Sequence, residues 1–172
     1  CDIIISAGNT GALLVISKLN LKMIENIDKP ALSALWPNKK GMSVVLDLGA
    51  NIDCSSKNLF DFSIMGASLY KSLYPLETPN VALLNIGSEE LKGNDTIKDT
   101  FKILNEKKNN DFEFSGYIEG NHIMDGNIDV IVTDGFTGNI ALKTAEGTAK
   151  FITKNFKNSL NKFSLLISYR SL

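Results

Sequence analysis

Val132-Thr-Asp-Gly-Phe-Thr-Gly-Asn-Ile-Ala-Leu-Lys143 is the stretch whose reading decides the fold. It continues Ile128-Asp-Val-Ile-Val-Thr133, a short β-branched run that marks a strand buried in a parallel sheet. The run breaks at Asp134-Gly135, and a helical pattern is under way by Asn139. A strand that ends in a Gly/Thr/Asn loop and opens a helix sets N–H groups and a positive dipole end at the carboxyl edge of a sheet. Anions bind there in α/β proteins. Lys143 follows Asn139 by one turn, so both side chains can overhang that edge. Taken alone, the loop also reads as an ordinary βα turn with Asn139 as helix cap.

Working outward, the same β-loop-α pattern recurs. Residues 2–6 read as a strand, 7–11 as its loop, and the helix after it runs to about Ile27 with Leu13, Ile16, Met23, Ile24 and Ile27 inward. Residues 43–48 are the next strand, and 49–54 the loop. The following helix has an apolar stripe of Leu59, Phe62, Gly66, Leu69 and Leu73. Residues 80–86 are a third strand, followed by the loop 87–94 and a helix with Ile97, Phe101 and Leu104 inward. Residues 112–118 alternate like a strand with one wet face, nearer a sheet edge. The last helix carries Ala145, Ala149, Ile152, Phe156, Leu160 and Phe163 in one seam. Four such units with glycine in every loop predict an α/β fold with a mainly parallel sheet flanked by helices.

At 172 residues and 44% hydrophobic content the chain can bury a real core, and it reads as a single α/β domain over residues 1–172. Lys and Arg number 18 against 19 Asp and Glu, so nothing global points to nucleic acid. Five of the basic residues and none of the acidic ones lie after Glu146, which makes 148–172 a basic amphipathic helical tail. Such a tail suits an acidic partner or an anionic membrane surface. Cys1 and Cys54 have no metal-ligand spacing, and the expectation is a reducing cytoplasm. No apolar run is long enough to span a bilayer. The chain opens at Cys1, inside an apolar run, and reads as an internal fragment.

Parallel strands present their carboxyl ends on one edge, so the glycine loops should converge there. They bring Ser6, Asn9, Thr10, Asp47, Asn51, Asp53, Asn85, Glu89, Glu90, Lys92, Asp134, Thr137, Asn139 and Lys143. Each Asn, Thr and Ser also has a reading as helix cap or turn residue. Asp47 reads equally as a buried carboxylate bonded to neighbouring loops, and the two lysines as solvated charge. Neither the phosphate-binding motif Gly-x-x-x-x-Gly-Lys-Ser/Thr nor the dinucleotide fingerprint Gly-x-Gly-x-x-Gly occurs. His122 has no nucleophile elbow to serve and is expected on a surface loop. Cys54 is expected to be a small packing residue. The residues point to an amide-rich, anion-friendly site with no metal and no cofactor, suited to acyl or phosphoryl transfer without a covalent enzyme intermediate.

Four motifs, Ser6-Ala-Gly-Asn-Thr-Gly-Ala12, Leu46-Asp-Leu-Gly-Ala-Asn-Ile-Asp-Cys54, Leu84-Asn-Ile-Gly-Ser-Glu-Glu-Leu-Lys-Gly93 and Thr133-Asp-Gly-Phe-Thr-Gly-Asn-Ile-Ala-Leu-Lys-Thr144, occur in order. Together they resemble the bacterial phosphate acyltransferases of phospholipid synthesis, which use acyl carrier protein. The resemblance runs to about Lys154. It implies a fold like the isocitrate/isopropylmalate dehydrogenases, incomplete at both ends. It also implies transfer of a fatty acyl group from the carrier-protein thioester to inorganic phosphate, a homodimer, and peripheral attachment to the inner membrane face. Lys29-Pro30-Ala31 stands where that family has Arg-Pro-Ala, which keeps charge and loses a planar fork.

On this resemblance Lys92 is the first candidate for the cation at phosphate or the oxyanion, Asn139 for an oriented amide donor, and Lys143 for a second cation. Ser6, Gly8, Asn9, Thr10 and Gly11 form a further anion-binding helix start. Asp47, Asn51, Asn85, Asp134 and Gly138 complete the substrate-binding set, the two aspartates orienting neighbours. The rivals are a phosphate acetyl- or butyryltransferase that uses coenzyme A, a dehydrogenase of the same fold group, and a non-catalytic scaffold that binds carrier protein.

Overall fold

The computed structural model of the chain describes residues 3–75, 78–107 and 110–170, with the side chains of 161–170 outside that set. Cys1, Asp2 and the side chain of Phe163 therefore lie outside the described residues. The chain divides into two units, Cys1–Asn139 and Ile140–Leu172.

The first unit holds a five-stranded sheet of order β1-β2-β5-β3-β4. Its strands are β1 Ser33–Asn38, β2 Gly41–Leu46, β3 Asn80–Asn85, β4 Glu113–Glu119 and β5 Val130–Val132. All pairings are parallel except β1 with β2. The expected parallel α/β architecture is therefore present, with β4 at an edge as its alternation predicts. Val44, Leu46, Val81, Leu83, Val130 and Val132 point to one face and join the core under α2 (Ser56–Leu73) and α3 (Asp95–Glu106). Val45, Ala82 and Ile131 point the other way and are buried as well. Burial on both faces explains why these strands read as continuous apolar runs.

Helix α2 fits closely on the sheet because Gly66 has no side chain. A Cβ there would lie 2.5 Å from Val130 Cγ1 and 2.8 Å from Leu46 Cδ1. Ser55 and Asn58 close a reciprocal capping box at its start. Leu59 and Phe62 are fully buried, whereas Leu73, expected on the same stripe, is 44% exposed where the helix ends.

Three expectations are overturned. Residues 3–7 form no strand, and Ile4 and Ile5 stand exposed. A β-branched run becomes a strand only where a neighbour takes its ladder, and here the five strands pair among themselves. Helix α1 spans Thr10–Leu21 and stops at Lys22, which has φ 63°, short of the expected end near Ile27. It buries no residue, and its supposed inner face at Leu13, Ile16 and Ile24 is exposed. The described residues thus contain three β-loop-α units and not four. Conversely, β1 escaped the sequence reading, because Pro37 and a polar end mask a strand of six residues. Proline is tolerated there because β1 lies at the sheet edge, and the turn Lys39-Lys40 returns the chain into β2.

The last helix, α4, spans Gly135–Arg170. It begins four residues before Asn139, so Asn139 is not its cap. Beyond Asn139, in the second unit, Ile152, Phe156 and Leu160 are exposed together with Lys150, Lys154 and Lys157. Of the other residues in the expected seam, Ala145 is half-buried and Ala149 exposed.

Candidate active site

Strands β2, β5 and β3 are neighbours, and each releases its loop at the same carboxyl edge. The β2 loop is organised by Asp47, which is fully buried. Its Oδ1 accepts from the backbone N–H groups of Leu32 (3.0 Å), Gly49 (3.2 Å) and Ala50 (2.9 Å). Its Oδ2 accepts from the backbone and side-chain N–H groups of Asn51, both at 2.7 Å. Five donors leave this carboxylate no capacity for a ligand. Asn51 is committed too, since its Nδ2 also donates to Pro30 O at 2.7 Å. Both residues shape the loop.

The β5 loop is pressed onto the β2 loop by two glycines. A Cβ on Gly135 would meet Asn51 O at 2.6 Å, and Gly135 N–H donates to that oxygen at 2.7 Å. A Cβ on Gly138 would overlap Asp47 O outright and sit 2.8 Å from Thr133 Cγ2. Only glycine allows the first turn of α4 to approach the end of β2 this closely. Asp134 caps that turn, accepting from Thr137 N–H at 2.8 Å and from Thr137 Oγ1 at 2.9 Å. The exposed Asn139 lies over Gly49, its Cβ and Cγ each 3.5 Å from the point a Cβ there would occupy.

The β3 loop is stapled by Asn85, whose Nδ2 donates to Gly87 O and Lys92 O, both at 3.1 Å. Gly93, at φ +93°, closes over Asn85 Oδ1. Lys92 is exposed, its stem folded over Gly87, and among the described residues no carboxylate pairs with it. Lys92 and Asn139 thus sit on the connections that leave the adjacent strands β3 and β5. Lys143, in the second unit, is paired with Glu146 at 3.0 Å. A lysine already held by a carboxylate is a weaker second cation.

The first predicted loop is not assembled with the others by the sheet, because no strand precedes it. Ser6 Oγ accepts from Gly8 N–H at 3.2 Å, and Asn9 caps α1 by accepting from Ala12 N–H at 3.1 Å. Thr10 and Gly11 open that exposed helix. The capping reading describes these residues.

Between the three converging loops lies a cleft of about 390 Å³. Ile52, Asp53 and Cys54 enter it from β2, Asn94, Thr96 and Ile97 from α3, and Asp134, Phe136 and Thr137 from α4. None of Ile52, Asn94, Thr96 and Phe136 stood among the sequence candidates. Asn94 carries a legible signal, an Asn directly before a helical pattern, and it caps α3 by accepting from Ile97 N–H at 2.9 Å. Lys29 was flagged only as a departure from a family motif. Its Nζ donates to Asp53 O at 2.7 Å, a contact across 24 residues that no local pattern reveals.

The Cys54 thiol is pushed up to about 11, first by burial and then by the Asp47 carboxylate. It stays protonated near neutrality and donates to Asn51 O, as suits a packing residue. His122 lies in a 3-10 helix, Gly120–Asp125, exposed and bonded through Nδ1 to Asp125 Oδ2 at 2.7 Å. Among the described residues no three His, Cys, Asp or Glu side chains gather as metal ligands. No described helix is long and apolar enough to cross a membrane.

Residues 1–168 match the family described as fatty acid synthesis protein. The chain belongs to this family. It is 73% identical to a phosphate acyltransferase of Pelagibacter ubique (strain HTCC1062), over 99% of this chain and 53% of that protein. It is 51% identical to a phosphate acyltransferase of Maricaulis maris (strain MCS10), over 91% and 44%. A third, from Paramagnetospirillum magneticum (strain ATCC 700264 / AMB-1), is 48% identical over 98% and 49%. The chain spans about half the length of the curated relatives it matches. The loops of this chain that converge on the cleft carry three of the four motifs, those at 46–54, 84–93 and 133–144.

Proposed function

We propose that this protein, at the full length of its relatives, moves a fatty acyl group from the thioester of acyl carrier protein to inorganic phosphate. The products are acyl phosphate, a precursor for glycerophospholipid synthesis, and the carrier thiol. The observation that carries the reading is the convergence of the β2, β5 and β3 loops on one edge, with Asn139 laid over Gly49 and Lys92 on the adjoining loop.

Phosphate is already anionic near neutral pH, so the reaction needs no strong base. A phosphate oxygen attacks the thioester carbon and forms the C–O bond of acyl phosphate, the carbonyl oxygen takes up negative charge, and the carbonyl then re-forms as the C–S bond breaks. The departing thiolate takes a proton from phosphate or solvent. What the protein supplies is orientation and charge stabilisation. In this reading Lys92 attracts phosphate, and the Asn139 amide donates to the developing oxyanion. Glycines 135 and 138 hold the first turn of α4 so that Asn139 is oriented before substrate arrives. Exposed Phe151, Ile152, Phe156 and Leu160, interleaved with lysines, support a homodimer contact or peripheral attachment to the inner membrane face.

The full-length protein is incubated with phosphate and either acyl carrier protein thioester or acyl coenzyme A, and acyl phosphate is measured. Product from the carrier thioester, lost in Lys92→Ala and Asn139→Ala, is the expected result. Product from coenzyme A alone favours the acetyl- or butyryltransferase reading. Carrier binding without product leaves the scaffold.

A further inference from the structure

We propose that Lys29 is a positioning residue for the site: by holding the far end of the β2 loop it keeps Gly49 seated under Asn139. It acts through Asn139 on the oxyanion and not on phosphate binding, so the inference rests on the acyl-transfer reading above.

Residues 29–32 continue β1 backwards beyond the sheet and lie alongside the β2 loop. Leu32 N–H donates to Asp47 Oδ1 and Leu48 N–H to Leu32 O, both at 3.0 Å. Asn51 Nδ2 donates to Pro30 O and Lys29 Nζ to Asp53 O, both at 2.7 Å. To these four bonds the segment contributes backbone at Leu32 and Pro30, and a side chain only at Lys29. Pro30 disfavours a helical turn at Lys29, which keeps the segment on this path.

The segment has a firm base. Lys57, in the first turn of α2, donates to Asn26 O at 2.9 Å and pairs with Asp28 at 3.0 Å. That pairing occupies the carboxylate next to Lys29 in the chain. Among the described residues no carboxylate pairs with Lys29 itself. Lys29 is half-buried, and its ammonium is spent on a neutral carbonyl. A charged donor makes such a bond roughly twice as strong as a neutral one, which suits a brace better than a solvated surface charge.

The β2 loop is thereby gripped from two sides. Lys29 holds it at Asp53, while Gly135 N–H donates to Asn51 O at 2.7 Å and Asn139 lies over Gly49. Releasing Asp53 frees one end of residues 49–53 and loosens the floor beneath Asn139. Lys92 stands on the β3 loop, which Asn85 staples separately, so the phosphate side is untouched.

The test uses the full-length protein. Lys29→Met keeps the length of the side chain and removes its donor. It should lower kcat by about tenfold to a hundredfold, as a misplacement of about 1 Å does, with KM for phosphate unchanged. Lys29→Arg, which still presents a charged donor, should restore most of the rate. In an Asn139→Ala background Lys29→Met should cost less than about twofold, because the group it positions is gone. A raised KM for phosphate at unchanged kcat overturns the proposal, as does the same fold loss with and without Asn139. Lys29→Gln, a polar replacement, carries the same expectations if Lys29→Met does not fold.

Hydrogen exchange separates this inference from the transfer reading. In Lys29→Met the amides of 47–54 and 134–139 should lose protection, while those of 80–92 keep wild-type rates. If the wild type forms no acyl phosphate and these two segments still lose protection, the brace stands and the transfer reading fails. Product formed normally, with neither kcat nor the two segments responding, sinks the brace alone. Protection lost equally along the whole chain marks a merely structural lysine and also overturns the proposal.

Discussion

Alanine at Gly138 and alanine at Gly147 should move stability in opposite directions, although both glycines lie in α4. At Gly147 an added methyl meets nothing within 4 Å. The gain is then the ordinary preference of a helix interior for Ala over Gly, about 0.5–1 kcal/mol. At Gly138 the methyl meets the backbone oxygen of Asp47 at an impossible separation, with Asp47 C at 3.0 Å behind it. Backbone cannot swing aside as a flexible side chain can, so the first turn of α4 must lift off β2. Overpacking of this kind costs about 1–3 kcal/mol, and a backbone obstacle puts Gly138→Ala at the upper end. The lift also displaces Asn139 from Gly49, and a misplacement of about 1 Å can cost on the order of a hundredfold in rate. Urea unfolding of the full-length protein reads the first effect, and acyl phosphate formation the second. The expected pattern is Gly147→Ala stable and active, Gly138→Ala weakened and slow. A Gly138→Ala protein within about 0.5 kcal/mol of wild type and with undiminished turnover would refute the close approach on which the site is built.

Four further outcomes follow from particular residues. Asn139→Ala should lower kcat by about 10²–10³, the usual effect of losing one oxyanion donor, and Lys92→Ala should act chiefly by raising KM for phosphate; steady-state kinetics at varied phosphate separates them. Among the described residues Tyr117 Oη is buried without a hydrogen-bond partner, and burial followed by the Glu90 charge raises its pKa. Tyr117→Phe should therefore leave the urea midpoint unchanged or higher, by up to about 1 kcal/mol, and a clear loss of stability argues against an orphaned hydroxyl. With its pKa near 11, Cys54 should react with iodoacetamide at pH 8 on the order of a hundredfold more slowly than a free thiol. Peptide mass spectrometry across pH should show the rate climbing throughout the alkaline range, and a plateau below pH 9 would contradict the assignment. The Lys39 ammonium, and after it His122, hold the Asp125 carboxyl below its ordinary 3.8. A depressed carboxylate stabilises the fold above its unfolded pKa, so the wild type should exceed Asp125→Asn at neutral pH and lose that advantage as pH falls through the folded value. A difference that grows on acidification has the wrong sign.

Much of the frame was legible in the residues. Apolar runs such as 80–85 and 128–133, each ending in glycine and a capping residue, are local signals that hold wherever the strand lies. They specified strand, loop and helix in three of the four units. The fourth shows the limit, because Ile3, Ile4 and Ile5 have the composition of a strand and are not one here. Strand formation needs a neighbour's hydrogen bonds, which composition does not supply. The same limit hid β1, an edge strand identified by its pairing with β2 and not by its own pattern.

The candidate site divides in the same way. The residue types at the carboxyl edge, amides, glycines and a lysine on a glycine loop, follow from sequence because turn chemistry and helix capping are short-range. Which of them remain available to a ligand was decided in three dimensions. Asp47, Asn51 and Asn85 turned inward because donors and acceptors from residues as distant as Leu32, Pro30 and Lys92 reached them, whereas Lys92 and Asn139 were left exposed. The strand order did the rest. β5, last in sequence, lies between β2 and β3, and that placement brought Ile52, Ile97 and Phe136 around one cleft. Periodicity reports how each segment is buried, while the choice of neighbour depends on the packing of all segments at once. For that reason the sequence alone determined the parts, and the tertiary structure alone determined which parts meet.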